Sequence, residues 1–145
     1  GLWRGRYGDL QARAAGHQNP YALFFQSAQR NLHELPLDWP FSSGQGAKVR
    51  PALVILNDQD NVRLVTTIVA MITSRTSRAA KVPTQLLIDL GTPDGKQSGL
   101  RMNSVVNCVN LFSVEQSKVL RVLGHLSPGQ MTQIDDCLKA ALAIA

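Results

Sequence analysis

Four short stretches carry the residue types that could do chemistry. Lys48-Val49-Arg50-Pro51 sets a guanidinium just ahead of an apolar run. Ala70-Met71-Ile72-Thr73-Ser74 closes a second apolar run in hydroxyls and leads into a basic loop through Arg75 and Arg78. Gly99-Leu100-Arg101-Met102-Asn103-Ser104-Val105 follows a turn, and Leu123-Gly124-His125-Leu126-Ser127 breaks the chain before its last helical pattern. The familiar catalytic signatures are missing: no P-loop, no GxGxxG, no GxSxG. His17, His33 and His125 are scattered, without HExxH or paired-ligand spacing, so no metal and no cofactor is expected. Cys108 and Cys137 form neither a CxxC motif nor a disulfide framework and read as buried, reduced thiols of a cytoplasmic protein.

Charge narrows the partner. Fifteen Lys and Arg against ten Asp and Glu give a net +5, and the excess is uneven. Residues 50–102 hold seven bases (Arg50, Arg63, Arg75, Arg78, Lys81, Lys96, Arg101) against four acids, whereas residues 103–145 balance at three against three. A basic middle segment suits a polyanion such as nucleic acid; a solvated basic face explains the same count equally well.

These stretches must be held by elements. With 145 residues, 44% of them hydrophobic, one domain with a real core is expected. No apolar run approaches the ~18 residues of a membrane span, and no signal peptide is visible in GLWRGRYGDLQARAAG. After the turn signal Asn19-Pro20, the residues Tyr21, Phe24, Phe25, Ala28, Leu32 and Leu35 recur at helical spacing and predict an amphipathic helix ended by Pro36. Ser42–Gly46 reads as a loop. Strands are expected over Pro51–Leu56, Leu64–Ile72, Thr84–Leu90 and Ser104–Leu111, with polar turns at Asn57–Asn61 and Thr92–Gly95. Ser113-Val-Glu-Gln116 has the capping-box pattern and predicts a helix towards Gly124. Ser127-Pro-Gly-Gln130 repeats it ahead of the stripe Met131, Ile134, Leu138, Ala141 and Leu142. Several short strands followed by helices predict a mainly β fold, a small barrel with C-terminal helices.

In this order and spacing, GQGAKVRPALVILNDQDN, VTTIVAMITSR, KVPTQLLIDL, GLRMNSVVNCVNLFSVEQ, LRVLGHLS and IDDCLKAAL resemble the MazF/PemK family of toxin endoribonucleases. The resemblance covers roughly residues 37–144, about three quarters of the chain. It implies an SH3-like small barrel of the plasmid-maintenance toxin type, shared with CcdB, and a homodimer that cuts single-stranded RNA at short sequences without metal. It also implies a cognate antitoxin that lays a tail across the RNA groove, with operator DNA bound only through the antitoxin complex. By position, Arg50 matches the family's catalytic arginine and Thr73 its catalytic threonine. Ser74, Arg75 and Arg78 fall on the adjacent loop, and Ser104 and Asn110 near positions that line the family's groove.

The chemistry is consistent with those positions. RNA brings its own nucleophile, the 2′-OH. Arg50 offers a fixed fork of donors to phosphate oxygens, and Thr73 a hydroxyl to the developing oxyanion. Arginine stays protonated, so Arg50 stabilises charge or donates a proton and the general base is left open. On residue type alone, Arg50 also reads as a surface residue before a strand, and Thr73 as a strand-end cap. The loop residues then read as solvated groups, and Ser104 and Asn110 as turn and sheet-edge hydrogen-bonders. Trp39 and His125 read first as structural. A gyrase inhibitor of the CcdB type would need a C-terminal Trp-Gly-Ile end that this chain lacks; a non-catalytic RNA-binding barrel is the other alternative.

The chain departs from the family at its start. The usual Gly-Asp-hydrophobic first strand is reduced to Leu37-Asp38-Trp39-Pro40-Phe41. Asn31–Pro36 makes a poor strand because Pro36 removes a ladder donor. Residues 1–36 are therefore read as an extension carrying the aromatic helix, which could cover the RNA groove, and residues 37–145 as the barrel domain.

Overall fold

A computed structural model of the chain describes residues 25, 28–37, 48–77 and 82–145. Six antiparallel strands are β1 (Asn31–Leu37), β2 (Lys48–Val54), β3 (Thr66–Thr73), β4 (Gln85–Ile88), β5 (Ser104–Glu115) and β6 (Arg121–His125). They form one sheet in the order β4-β5-β3-β2-β1-β6, curled into a half-barrel. Three helices complete the described chain: α1 (Asp58–Arg63), α2 (Pro93–Gln97) and the C-terminal α3 (Pro128–Leu142). The mainly β barrel with a terminal helix is thus the observed architecture.

The apolar strands bury both of their faces, as near-continuous hydrophobic runs do. Leu53 of β2, Ala70 and Ile72 of β3, and Val106 and Cys108 of β5 pack with Ile134 and Cys137 of α3. Their sequence neighbours point the other way. Ala52 and Val54, Val69, and Leu35 and Leu37 of β1 pack with Phe25, Ala28 and Val119. The α3 start is the expected capping box: Gln130 N–H donates to Ser127 Oγ at 3.1 Å, and Ser127 N–H to Gln130 Oε1 at 3.0 Å. Burial pushes the Cys108 thiol up to about 12 and the Cys137 thiol upwards, which keeps both protonated.

Two expected helices are strands. Residues 31–35 belong to β1 and not to a helix over 21–35; Tyr21 and Phe24, like Trp39 and Arg78, lie outside the described residues. Leu32 and Leu35, an odd number of residues apart, point to opposite faces of the strand by simple alternation, and because both faces are buried the two leucines imitate a helical stripe. Pro36 is tolerated because Glu34 turns its carbonyl towards β6, accepting from Leu120 N–H, and β6 pairing ends there. Two residues further on, the missing N–H of Pro36 faces past the end of β6, an edge in effect. The boundary drawn at residue 36 therefore runs through a strand that sits between β2 and β6.

The helix expected over 113–124 is the end of β5, a 3-10 turn at Gln116–Lys118, and β6. Gln116 does not cap. Its buried Nε2 donates to Asn61 O at 2.7 Å and Thr66 O at 3.0 Å, which ties the turn to α1 and β3. The polar turn at 57–61 opens α1, with Asn57 Oδ1 accepting from Asp60 N–H. The turn at 92–95 opens α2, with Thr92 Oγ1 accepting from Gly95 N–H.

The two ends of the sheet meet through glycine. Gly99, after α2, has φ +73°, and a Cβ there would stand 2.0 Å from the carbonyl oxygen of Leu123 in β6. A Cβ on Gly124 would stand 2.2 Å from the carbonyl oxygen of Gln97. Only backbones without side chains approach this closely. Gly124→Ala should therefore cost about 2–3 kcal/mol, in the range of overpacked sites, read as a lower denaturant midpoint with an unchanged slope.

His33 lies buried on β1 and stacks on Phe25, with ring centroids 5.5 Å apart. Burial lowers its pKa to about 4. Unfolded, it titrates near its ordinary value of 6.5. Between those values the unfolded chain takes up a proton that the folded chain refuses, so this contribution is present above pH 6.5 and is lost as pH falls towards 4. Denaturation at stepped pH should show stability falling by about 1.4 kcal/mol per unit across that window, and His33→Phe should flatten that dependence.

Candidate nucleic-acid interface and active site

The register of β2 and β3 pairs Ala52 with Met71. The paired ladder ends there, and each strand runs on by at least two residues, so that Arg50 of β2 and Thr73 of β3 lie just beyond its end, in step with that register. The next pairing outward sets Thr73 opposite Val105 of β5. Arg50 and Thr73 thus stand side by side at the end of the two strands whose apolar runs fix them in the core. Both line one cavity of about 760 Å³.

Ser74 and Arg75, on the loop leaving β3, line the same cavity, and so does Ser104 at the start of β5. Thr73 Oγ1 accepts Arg75 N–H at 3.2 Å, which leaves the hydroxyl proton free to be donated into the cavity. Arg50 is half-buried. Among the described residues its buried Nε has no hydrogen-bond partner. An unmatched guanidinium N–H is costly unless a ligand supplies the acceptor. Ser104 Oγ donates to Met102 O at 2.9 Å, so it holds the loop before β5.

Asn110 is the exception. Between Ala70 and Met71 the β3–β5 register jumps from Leu111 to Asn107, so residues 108–110 bulge out of the ladder. Asn110 rests against the Met71 sulfur at 3.9 Å and is not among the residues lining the cavity. Phe25 and Ala28 are core residues of the sheet, also outside the cavity lining, so these two do not cover the groove.

The far wall comes from β1 and β6, both expected as helix, and from the loop after Gly99. Arg121 and Leu123 of β6, Glu34 of β1, and Leu100, Arg101 and Met102 of the loop after Gly99 all line the cavity. Arg121 Nε donates to Glu34 Oε2 at 2.5 Å across the β1–β6 pair. The lining is strongly cationic: Arg50, Arg75, Arg101 and Arg121 against the single carboxylate of Glu34. Arg101 was legible as part of the basic segment, whereas the Glu34–Arg121 pair has no local signal, since it exists only once β1 and β6 pair. Among the described residues no group of three or more His, Cys, Asp or Glu could hold a metal ion.

Comparison with known proteins matches residues 34–142 to the model of the PemK-like, MazF-like toxin of type II toxin-antitoxin systems. The chain belongs to this toxin family. A curated relative, Endoribonuclease EndoA of Bacillus subtilis, is 31% identical over 105 residues, 72% of this chain and 85% of the relative. Among solved structures, the Mycobacterium tuberculosis toxin MazF-mt6 superposes with a TM-score of 0.64 at 23% identity, over 80% of this chain and 99% of its own. A mycobacterial endoribonuclease in complex with its cognate antitoxin gives 0.63 at 21%, over 81% and 95%. A MazE-MazF structure from Deinococcus radiodurans gives 0.60 at 17%, over 83% and 98%. At these identities the solved structures speak for the fold, which is that of the MazF toxins.

Proposed function

We propose that this toxin is an endoribonuclease that cuts single-stranded RNA at short sequences through attack of the 2′-OH, without a metal. The observation that carries the reading is that Arg50 and Thr73, just beyond the end of the β2–β3 ladder, line one cationic cavity. Membership of the toxin family and the relative named an endoribonuclease support it.

The chemistry follows from donors and charges. A bound phosphodiester presents its oxygens to the Arg50 guanidinium, whose unmatched Nε–H gains an acceptor. The neighbouring 2′-OH attacks the phosphorus, and negative charge builds on the equatorial oxygens. Arg50 and the Thr73 hydroxyl donate to that charge from fixed positions, so no reorganisation is needed as it develops. The 5′-oxygen leaves with a proton. The 2′-OH gives its proton to water as its bond to phosphorus forms, and a water held by the Arg50 guanidinium returns one to the 5′-oxygen as that bond breaks; Arg50 itself stays protonated throughout and is not the base. The products are a 2′,3′-cyclic phosphate and a 5′-hydroxyl. Ser74 and Arg75 sit where the flanking phosphates run, and Arg78 is proposed to extend that loop contact.

The same proposal includes a homodimer in the cytoplasm and neutralisation by an antitoxin protein competing for the cavity. Two solved structures of this fold, described as antitoxin complexes, support the partner class. Operator DNA would be reached through that complex.

The test is cleavage of a long single-stranded RNA in EDTA, with 5′ ends mapped. Wild type should cut at one short motif. Arg50→Ala and Thr73→Ala, checked for folding, should each lose about 10²–10³ in rate. A folded wild type that binds RNA but never cuts it would instead make the chain a non-catalytic RNA-binding barrel.

A further inference from the structure

The Glu34–Arg121 pair sits in the cavity wall facing the β2–β3 end, and the mechanism makes no use of it. Its geometry is specific. Arg121 spends its Nε on Glu34 Oε2 at 2.5 Å. Among the described residues its two terminal nitrogens and Glu34 Oε1 have no hydrogen-bond partner. The side chains are 44% and 25% exposed, so both reach the cavity from a fixed cross-strand position. A carboxylate so close also offsets the charge of the guanidinium, which weakens its pull on a phosphate. What remains is a pattern: two N–H donors beside one acceptor, held by the backbone pairing of β1 and β6. Apolar surface lies alongside, from Val49 and Met102, each more than half exposed and each lining the cavity. Arg50 and Arg75 carry no such carboxylate and are the groups suited to phosphate.

We infer that the Glu34–Arg121 pair reads the edge of one RNA base beside the cleaved bond, and so sets the nucleotide preference at that position. The inference rests on the ribonuclease reading above. Single-stranded RNA exposes its base edges to such contacts, and paired donors to one base edge discriminate strongly. The Val49 and Met102 side chains flank the base, while Arg121 donates to its ring acceptors and Glu34 accepts from its exocyclic or ring N–H. Arg121 is therefore a specificity residue, with Glu34 holding it in register and adding the acceptor.

The experiment maps cleavage ends on a random-sequence single-stranded RNA pool for wild type, Arg121→Gln, Arg121→Lys and Glu34→Gln, with thermal melts to verify folding. Glu34→Gln keeps the side-chain shape and guards against loss of fold. The expected result is a change confined to one nucleotide of the motif, with discrimination there falling about tenfold, and the other positions kept. An unchanged motif in folded Arg121→Gln and Glu34→Gln overturns the inference. So does a uniform loss of rate at all sites with a shallower dependence on salt, which would make Arg121 a phosphate contact. If wild type itself cuts no RNA, the ribonuclease reading fails first and this inference falls with it.

Discussion

The backbone-to-backbone contact between residues 97–99 and residues 123–124 is the constraint on which the rest of the architecture hangs. β4 and β6 are the two edges of the sheet, farthest apart in its order. The segment that leaves the β4 side through α2 lands on β6, and two glycines make the landing possible. The sheet is thereby held curled, and the gap it encloses becomes a cavity rather than an open face. One wall is the β2–β3 end with Arg50 and Thr73; the other is β6 with the loop that follows Gly99. A side chain at either glycine would push these walls apart.

The core supports the same arrangement from two sides. Successive residues of β2 and β3 serve different clusters, one roofed by α3 and the other filled by Phe25, Ala28 and Val119. A strand buried on both faces is hard to rotate or slide, because a one-residue slip would exchange the two sets wholesale. That rigidity is what a site built from preorganised donors requires. The ion pair between Arg30 and Asp135 adds a tie from the chain just before β1 to α3.

What could be read from the chain and what could not divide along physical lines. β2, β3, β4 and β5 were legible because their apolar and β-branched runs are bounded by polar turns, and α3 because Ser127, Pro128 and Gln130 form a capping box. β1 and β6 were not. Burial of both faces of β1 disguises it as a helical stripe, and Ser113–Gln116 offers a false cap before β6, since Gln116 is spent inside the core. The meeting of Arg50 and Thr73 just beyond the β2–β3 ladder is a matter of register, which local pattern does not reveal, so those residues came from family resemblance while Arg121 and Glu34 escaped notice. Asn110, named from family resemblance, lies in the stretch that bulges out of the β3–β5 ladder and so is not among the residues lining the cavity, which local pattern does not reveal either.

The position of β1 has a consequence for how such a chain comes into being. β1 lies between β2, made directly after it, and β6, made only after β2 to β5. During synthesis the first strand can find one neighbour at once but must wait for the other until the four strands between them in sequence have emerged. The second wall of the cavity, carried by β6, does not exist before then. A nascent chain that stops short of β6 therefore has Arg50 and Thr73 but lacks one wall of the cavity they line. The long-range closure that slows folding thus also sets the earliest point in synthesis at which the cavity can be complete.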